Sequence, residues 1–394
     1  MRHTRTLLLI GALSLFAGPA AGQQSRADEI AQAQAEKNAR LAPNRAGRTE
    51  RALDWFEAHF TDPNTVYLTF GGLYPTGGVA PGVAVRRAIG PARLNAGGAY
   101  SIRSYKLGHA SLRVPELAGN KLDIEASARW TDATQVPFYG QGNDSLKGNR
   151  AKYGYRSVEA GGTVAFAPVS WYRVGGGLAS RHLTDREGAG QWPSIETRHS
   201  SQSAPGLFSE TRYTHATAFT GIDWRESPGY TRRGGLYSVT LNDFRDRNDR
   251  FSFRRLDVDL RQNVPLLKEH WVLAFRGLMQ TTDLEAGQAV PYHLLPSLGG
   301  AQRLRGYPDF RFQDRHLMLV GAEYRWLPSR VLDMALFVDA GKVASARRDL
   351  DFNGLKTTYG LGIRLHGPSF TPLRLDLARG DEGIRAHITG GVSF

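Results

Sequence analysis

The sequence predicts an all-β fold, a 16-stranded antiparallel transmembrane β-barrel, and three observations support this prediction. Apolar and polar residues alternate with a period of two along almost every segment from residue 65 onward. The polar positions carry full charges, such as Asp257, Asp259 and Arg374, which fits an aqueous lumen and a lipid-facing exterior. The connections alternate between short and long, as periplasmic turns and outer loops do in outer-membrane barrels.

The alternation is clearest toward the C-terminus. In the segment that begins near residue 315, Val320 and Tyr324 point to one side, while Glu323 and Arg325 point to the other. A soluble sandwich would bury its apolar face, but charges recur on the polar side of almost every segment. We therefore expect the polar face to line the lumen and the apolar face to contact lipid.

The alternating segments number sixteen, and an even number is required when both ends of a closed barrel lie in the periplasm. The first eleven strands are predicted at 65–72, 81–89, 94–105, 107–117, 121–131, 153–167, 169–180, 211–225, 234–245, 252–263 and 271–282. The last five begin near 315, 333, 355, 371 and 384. Long outer connections are expected near 132–152, 181–210 and 283–314, and the connection 225–234 is longer than the other periplasmic turns.

The N-terminus has the layout of a secretory signal peptide. Arg2, His3 and Arg5 form a positive region, residues 7–16 an apolar core, and residues 20–22 a small-residue cleavage site. We expect a signal peptide at 1–22, a periplasmic helical segment or linker at 23–60, and the barrel at 61–394. Export to the outer membrane of a Gram-negative cell follows from this organisation.

The segment 23–60 is rich in Ala, Gln, Glu and Arg and favours helix. Ser25 and Asp28 form a capping box, and a second short helix is expected at 49–60. The apolar residues of this second helix suit docking on the barrel rim or entry into the lumen, but a solvated linker fits equally well. The segment is too short for a periplasmic β-α-α-β module.

Two short motifs stand out within the alternating pattern. Leu304-Arg305-Gly306-Tyr307 falls in the longest outer loop, the sixth, and Phe337-Val338-Asp339-Ala340-Gly341 falls on the thirteenth strand. Their order and their distance from the C-terminus make the chain similar to a superfamily of outer-membrane barrels that assemble other outer-membrane proteins or secrete polypeptides. This is the bacterial surface antigen superfamily, with BamA-like and TamA-like members.

The resemblance implies that the tip of the sixth loop folds back into the lumen and that Arg305 pairs with Asp339. Gly306 and Tyr307 match the rest of the loop motif, and Phe337 and Gly341 match the rest of the strand motif. The residue chemistry agrees, because a planar guanidinium binds a carboxylate bidentately where water is partly excluded. Glu323, on the lumen face one strand earlier, is a candidate second partner of Arg305.

The best-known members of the superfamily also carry periplasmic modules, called POTRA modules, that receive unfolded clients. The chain resembles the shortened members that lack them. Handling of polypeptide clients is therefore a hypothesis here.

The first and last strands meet where the barrel closes, and both contain paired glycines, Gly71 with Gly72 and Gly390 with Gly391. Interior glycine weakens a strand, so the seam between them could open and template an incoming strand. Alternatively, the glycines relieve crowding at closure. Phe394, a terminal aromatic on the lipid face, resembles the signal by which barrels are recognised for assembly.

A second outer segment, 138–145, has the sequence FYGQGNDS. It is similar to a loop of related surface-antigen barrels. The residues favour a turn-rich loop that uses Gly and Asn for positive φ, because no strand-to-helix context supports phosphate binding. Its role stays open.

We expect no enzymatic activity, catalytic residues, cofactor or metal site. The sequence has no G-x-S-x-G elbow, and its histidines lack metal-ligand spacing. The absence of cysteine excludes a disulfide framework. A net charge of +13 would suggest nucleic acid in a soluble protein, but export makes nucleic acid an unexpected partner.

Two functional hypotheses follow. The first is a barrel that assists the insertion or translocation of polypeptides, with unfolded outer-membrane or secreted polypeptides as partners. The second is an anion-preferring pore or a structural surface-antigen barrel without client handling. Both hypotheses place the chain among outer-membrane lipids and lipopolysaccharide, whose phosphates outer-loop arginines would meet.

Overall fold

The computed structural model describes residues 64–71, 74–266, 270–329, 331–367 and 370–391. The predicted signal peptide, 1–22, and the predicted helical segment, 23–60, lie outside the described residues. Both stay predictions. No helix within the described residues has the length and apolar character of a membrane-spanning helix.

The described residues form sixteen long strands and one short hairpin. The first eight long strands are β1 (Thr65–Gly71), β2 (Ala80–Ile89), β3 (Ala92–Tyr100), β4 (Lys106–Glu116), β5 (Leu122–Phe138), β6 (Ala151–Val169), β7 (Tyr172–Glu187) and β8 (Thr211–Asp223). The next eight are β9 (Gly234–Asp246), β10 (Phe253–Leu266), β11 (Trp271–Asp283), β14 (His316–Ser329), β15 (Leu332–Ala344), β16 (Lys356–Leu365), β17 (Leu373–Gly380) and β18 (Gly383–Thr389). The hairpin consists of β12 (Ser297–Leu298) and β13 (Phe312–Gln313). Short helical turns lie at Leu117–Asn120, Lys147–Asn149, Ile195–Thr197, Tyr292–Leu294 and Arg347–Asp349.

The long strands build one antiparallel sheet in which each strand pairs with the next along the chain. β11 pairs directly with β14, so the β12–β13 hairpin lies outside this sheet, and β15 is its thirteenth strand. The predicted all-β class and sixteen antiparallel strands are confirmed. Within the described residues, β1 pairs only with β2 and β18 only with β17, so closure of the barrel stays a prediction.

The two faces of the sheet are the reverse of those in a soluble protein. On β15, Leu336 and Val338 are exposed, whereas Asp333, Phe337 and Asp339 are buried. Exposed apolar side chains recur on the same face of the neighbouring strands, and buried charged side chains on the other. Exposing such a broad apolar face to water would cost free energy. This arrangement therefore fits a sheet with lipid against its outer face and a polar interior on the other side.

Several strands are longer than predicted at the end of the sheet that carries the long connections. β5 runs to Phe138, β6 begins at Ala151 and β7 runs to Glu187. The register of β5 shifts between Ala133 and Val136, which breaks the two-residue alternation on which the prediction depended. The ends of these strands are also buried on both faces, so apolar and polar residues do not alternate there. Their sequence therefore resembles that of a loop.

Strand β3 is shorter than predicted, ending at Tyr100 instead of residue 105. Residues 101–105 form a turn in which the hydroxyl of Ser101 accepts hydrogen bonds from the backbone nitrogens of Arg103 and Tyr105, at 3.2 and 3.0 Å. Ser104 adopts a positive φ of 62°. A serine side chain that bonds to its own turn competes with the strand ladder.

An apolar cluster lies where the long connections meet the strand ends. It joins aromatic and aliphatic side chains of the strands to those of the β7–β8 and β11–β14 connections. Its most buried members are Tyr105, Ala133, Val136, Phe138, Ala151, Tyr153, Leu183, Ile195, Ala204, Tyr213 and Tyr292. The loops therefore pack on one another at this end of the sheet.

The reversed faces give a direct test on neighbouring residues of β9. Val239 is exposed on the apolar face, and Ser238 lies on the opposite face, where its hydroxyl contacts the carbonyl of Asp259 at 3.4 Å. We expect Val239→Arg to reduce the free energy of folding into phospholipid vesicles by about 2–4 kcal/mol, the cost of arginine at a bilayer midplane. Ser238→Arg is the matched control, and urea titration measures both. An equal loss in the two variants would contradict the assignment of the faces.

Candidate functional site

The connection between β11 and β14, residues 284–315, turns back against the inner face of the sheet through the β12–β13 hairpin. β12 and β13 pair at Ser297 with Gln313 and at Leu298 with Phe312. A second apolar cluster holds this connection on β11, β14 and β15. Its members are Leu278, Leu298, Leu304, Tyr307, Phe312, Leu317, Leu319 and Val343.

Arg305 lies beyond this cluster with only 2% of its side chain exposed. Its Nε and Nη2 donate to the two carboxylate oxygens of Asp339 on β15, at 2.8 and 2.6 Å. Its Nη1 donates to Glu323 on β14 at 2.6 Å. The guanidinium also lies over the ring of Phe337, 3.4 Å from its centroid. The structure thus brings together Arg305 and the three side chains that the sequence proposed for it.

Close packing explains why both motifs contain a glycine. A Cβ on Gly306 would lie 2.6 Å from the backbone nitrogen of Gly380, so only glycine fits against the end of β17 there. A Cβ on Gly341 would lie 2.9 Å from the carbonyl of Met318 on β14 and 3.0 Å from the side chain of Leu298. Gly341 therefore makes room for the β12–β13 hairpin, and Gly306 allows the loop tip to reach the last hairpin of the sheet.

Tyr307 ties the loop to the turn between β17 and β18. Its ring is buried against Phe312, and its hydroxyl donates to Asp381 at 2.9 Å. Burial, together with Asp381, raises the pKa of Tyr307 to about 12, so the hydroxyl keeps its proton at neutral pH. On β18, His387 Nε2 donates to the carbonyl of Arg305 at 2.7 Å. The loop tip is thus bonded to the turn of the last hairpin and to its second strand.

The carboxylates around Arg305 bind further buried arginines. Arg325 Nε donates to Glu323 at 2.8 Å, and Arg364 Nη2 donates to the same carboxylate at 3.0 Å. Arg374 Nε lies 2.9 Å from Asp376, whose carboxylate is 3.9 Å from Arg305. We call these residues with Arg305, Glu323 and Asp339 the Arg305 cluster. The alternation in the sequence placed Arg325 and Arg374 on the polar face, but none of the added residues was assigned to the site.

The segment 138–145 contacts the sixth loop near Gln313, away from the loop motif. Gly140 and Gly142 adopt φ of 92° and 99°, the region that glycine enters without strain, as the turn-rich interpretation predicted. Asn143 instead uses its side chain, donating Nδ2 to the carbonyl of Gly354 at 2.9 Å. The backbone nitrogen of Gly142 donates to the carbonyl of Gln313 at 2.9 Å. This connection therefore bonds to the sixth loop and to the β15–β16 connection.

Arg311 joins the same connection to the last hairpin. Its Nη1 and Nη2 donate to the hydroxyl and carbonyl of Ser145, at 3.0 and 2.7 Å. Its Nε donates to Glu382 at 2.6 Å. The side chain is buried, with its guanidinium 4.4 Å from the ring centroid of Phe312. No signal in the sequence pointed to Arg311, because its partners Ser145 and Glu382 lie in two other connections.

The long connection between β8 and β9 folds against the opposite end of the inner wall. The hydroxyl of Tyr230 donates to Asp333 at 3.0 Å, and its ring stacks on His366 with centroids 3.9 Å apart. Arg325 of the Arg305 cluster donates to the carbonyl of Thr231 at 3.3 Å. The exceptional length of this connection, visible in the sequence, allows these contacts.

The proposed seam residues are only partly described. Gly71 ends β1, whereas Gly72 and Phe394 lie outside the described residues. Gly390 follows β18, and Gly391 adopts a φ of 80° while its nitrogen donates to the carbonyl of Thr371 at 2.8 Å. The structure places Gly390 and Gly391 beyond the last ladder pair, so they do not weaken the interior of β18.

Comparisons with known proteins agree with this architecture. The model of the Omp85 superfamily domain matches residues 93–394. The chain is similar to the crystal structure of BamA from Haemophilus ducreyi lacking POTRA domains 1-3, with a TM-score of 0.64 and 14% identity over 86% of this chain and 78% of that chain. No curated protein sequence matches the chain significantly.

Two further solved structures are similar. CdiB from Escherichia coli gives a TM-score of 0.58 and 11% identity over 84% of this chain and 63% of that chain. CdiB from Acinetobacter baumannii gives a TM-score of 0.50 and 14% identity over 83% and 58%. The chain thus spans less than two thirds of either CdiB chain. At such identities the likeness shows the fold alone.

We expect Arg305→Ala to loosen the sixth loop, because it leaves Asp339 and Glu323 buried with part of their charge uncompensated. Breaking a buried ion pair from one side costs about 3–5 kcal/mol. Limited proteolysis should cleave the loop faster than in the unmodified protein, and Asp339→Ala should act in the same direction. Arg348→Ala is the control, since that side chain is 89% exposed. Unchanged loop protection in both cluster variants would count against the cluster.

For Arg311→Ala we expect faster hydrogen exchange in residues 139–150 and in the β17–β18 turn. The increase should be on the order of tenfold or more, because each charge-assisted hydrogen bond contributes about 1.5–3 kcal/mol. Arg311→Lys keeps the positive charge but loses the forked N–H donors of the guanidinium. Hydrogen exchange in these segments should therefore be intermediate between that of the unmodified protein and that of Arg311→Ala. The same exchange rates in all three proteins would show that Arg311 does not hold these segments.

Proposed function

Since the Omp85 superfamily model covers most of the chain, the chain belongs to that superfamily, and we propose that it assists the insertion or translocation of polypeptides at the outer membrane. One observation carries this proposal. The first and last strands of a continuous 16-stranded sheet are each paired on one side only within the described residues. A strand edge with unpaired backbone groups is a template for an incoming strand.

The contacts of the sixth loop support a specific role for the Arg305 cluster. Tyr307, His387 and Arg311 all bond the loop to the β17–β18 hairpin or its turn. The last strand is short, and an edge strand has only one neighbour to hold it. We infer that the loop supports this hairpin from inside, so that its outer edge keeps a fixed geometry for pairing with a client strand.

The proposal retains the organisation expected from the sequence. It comprises a cleaved signal peptide at 1–22, a periplasmic helical segment or linker at 23–60 and a transmembrane barrel at 61–394. The sixth outer loop lies folded into the lumen, and the barrel lies in the outer membrane of a Gram-negative cell. Its surroundings would be outer-membrane lipids and lipopolysaccharide, and its clients unfolded outer-membrane or secreted polypeptides.

The second candidate is an anion-preferring pore or a structural barrel. Lumen-side arginines favour it, since Arg113 and Arg173 both bond to the single carboxylate of Asp123. The apolar cluster of the long connections opposes it, because packed aromatic side chains at that end obstruct ions. Bilayer recordings separate the two: steady anion-selective conductance would favour the pore, and a closed baseline would favour the polypeptide function.

The test is the rate at which an unfolded outer-membrane protein folds into liposomes that contain the chain. We expect acceleration over empty liposomes with the unmodified protein and with the Arg348→Ala control. Arg305→Ala should lose most of it, by about tenfold if misplacement of the hairpin costs 1.4 kcal/mol or more. No acceleration by the unmodified protein would contradict the proposed function, and equal acceleration by Arg305→Ala would contradict the role of the cluster.

A further inference from the structure

A row of charged side chains crosses the exposed face of the sheet at the end with the long connections. Lys106 on β4 pairs in register with Asp132 on β5, and Asp132 pairs with Arg156 on β6. All three occupy the face that carries exposed Val158 further along β6. The row therefore lies on the face that we assign to lipid.

Asp132 is the centre of this row. Its side chain is only 4% exposed, and it is bonded to Arg186 of β7, with Arg156 Nη2 3.6 Å away. The two arginine side chains are themselves 42% and 52% exposed. Because a guanidinium has five N–H donors in a fixed fork, both arginines have donors left that face outward.

On β4, β5 and β6, the face becomes apolar directly along the strands from this row. The next row on the same face joins Gly108, Trp130 and Val158 in register. Trp130 and Val158 are exposed, as is Leu178 on β7. Two residues along a strand span about 7 Å, so the cations lie one such step above the apolar surface. A lipid has a matching order of groups, because its headgroup phosphate lies above its acyl chains.

Cations outnumber carboxylates in and beside this row. Lys106, Arg156 and Arg186 face a single carboxylate, that of Asp132. At the corresponding end of β9–β15, four cations are bonded to four carboxylates. The pairs are Arg245 with Asp243 and Glu285, Arg254 with Asp243, Arg347 with Asp283, and Lys342 with Asp351.

We propose that Lys106, Arg156 and Arg186 form a binding site for the phosphate headgroup of an outer-leaflet lipid, lipopolysaccharide through its lipid A phosphates. The excess of cations attracts the phosphate, and the row of Trp130 and Val158 beneath receives the acyl chains. The inference rests on the membrane placement in the proposed function. It does not depend on the handling of polypeptides.

The test is a titration of the detergent-purified full chain with bisphosphorylated lipid A, with bound lipid counted by native mass spectrometry. We expect Arg156→Gln with Arg186→Gln to raise the dissociation constant on the order of tenfold or more, because two charge-assisted contacts are lost. The matched control is Arg245→Gln with Arg254→Gln, which removes two arginines beside Asp243 at the same end of the sheet. Its dissociation constant should stay unchanged.

Asp132→Asn provides a second variant that separates lipid binding from folding. Removing the carboxylate frees both guanidinium groups, so we expect binding of lipid A to be kept or tightened although an internal ion pair is lost. Equal weakening in the two arginine double variants, or weaker binding in Asp132→Asn with the sheet intact by circular dichroism, would overturn the proposal. Competition by inorganic phosphate at the concentration of the lipid would also overturn it, since the site would then bind any small anion.

The outcome can be read separately from the insertion assay. A chain that took up no detergent would contradict the membrane placement itself. A chain that bound lipid A as expected but did not accelerate folding in liposomes would support the lipid site and contradict the polypeptide function.

Discussion

Moving a guanidinium out of water costs several kcal/mol, and Arg305 is almost completely buried. The charge is tolerated because Asp339 takes two of its N–H donors, Glu323 takes a third and Phe337 covers its face. Those carboxylates are buried too, and they are held in turn by arginines on the inner wall. The position of the sixth loop therefore follows from the charges on the strands, and a change to any member leaves a charge that the interior cannot solvate.

The same constraint explains why the sheet is apolar on its outer face. A sheet that buries so many charges on one side has only its other side for its aliphatic residues. The apolar core of the molecule is accordingly displaced to the strand ends, where the long connections pack on one another, and to the small cluster beneath the β12–β13 hairpin. From Thr231 through Arg325, Glu323 and Arg305 to His387, continuous hydrogen bonds join the β8–β9 connection to the last strand. The β8–β9 connection and the sixth loop are thus both linked by hydrogen bonds to the β17–β18 hairpin.

The sequence was sufficient to predict which face a side chain occupies wherever the two-residue alternation of a strand, its parity, is regular. Glu323, Phe337 and Asp339 occupy alternate positions of β14 and β15, so their inward direction could be read directly. The pairing of Arg305 with Asp339 was implied by the resemblance of the two motifs to those of a known superfamily. Parity failed beyond Ala133, where a register shift in β5 ended the alternation and made the end of a strand resemble a loop. It also failed for Arg311, whose partners Ser145 and Glu382 lie in separate connections. Contacts between loops depend on how each loop folds, and no period in the sequence encodes that.

A double-mutant cycle on Arg305 and Asp339 measures directly whether these two side chains hold the sixth loop on the sheet. The free energy of unfolding in phospholipid vesicles would be compared among the unmodified protein, Arg305→Ala, Asp339→Ala and the double variant. If the two side chains form a bidentate buried pair, the double variant should be more stable than the sum of the single losses predicts, by about 1–3 kcal/mol. Additive losses, with a coupling energy near zero, would show that Arg305 and Asp339 do not hold the loop together.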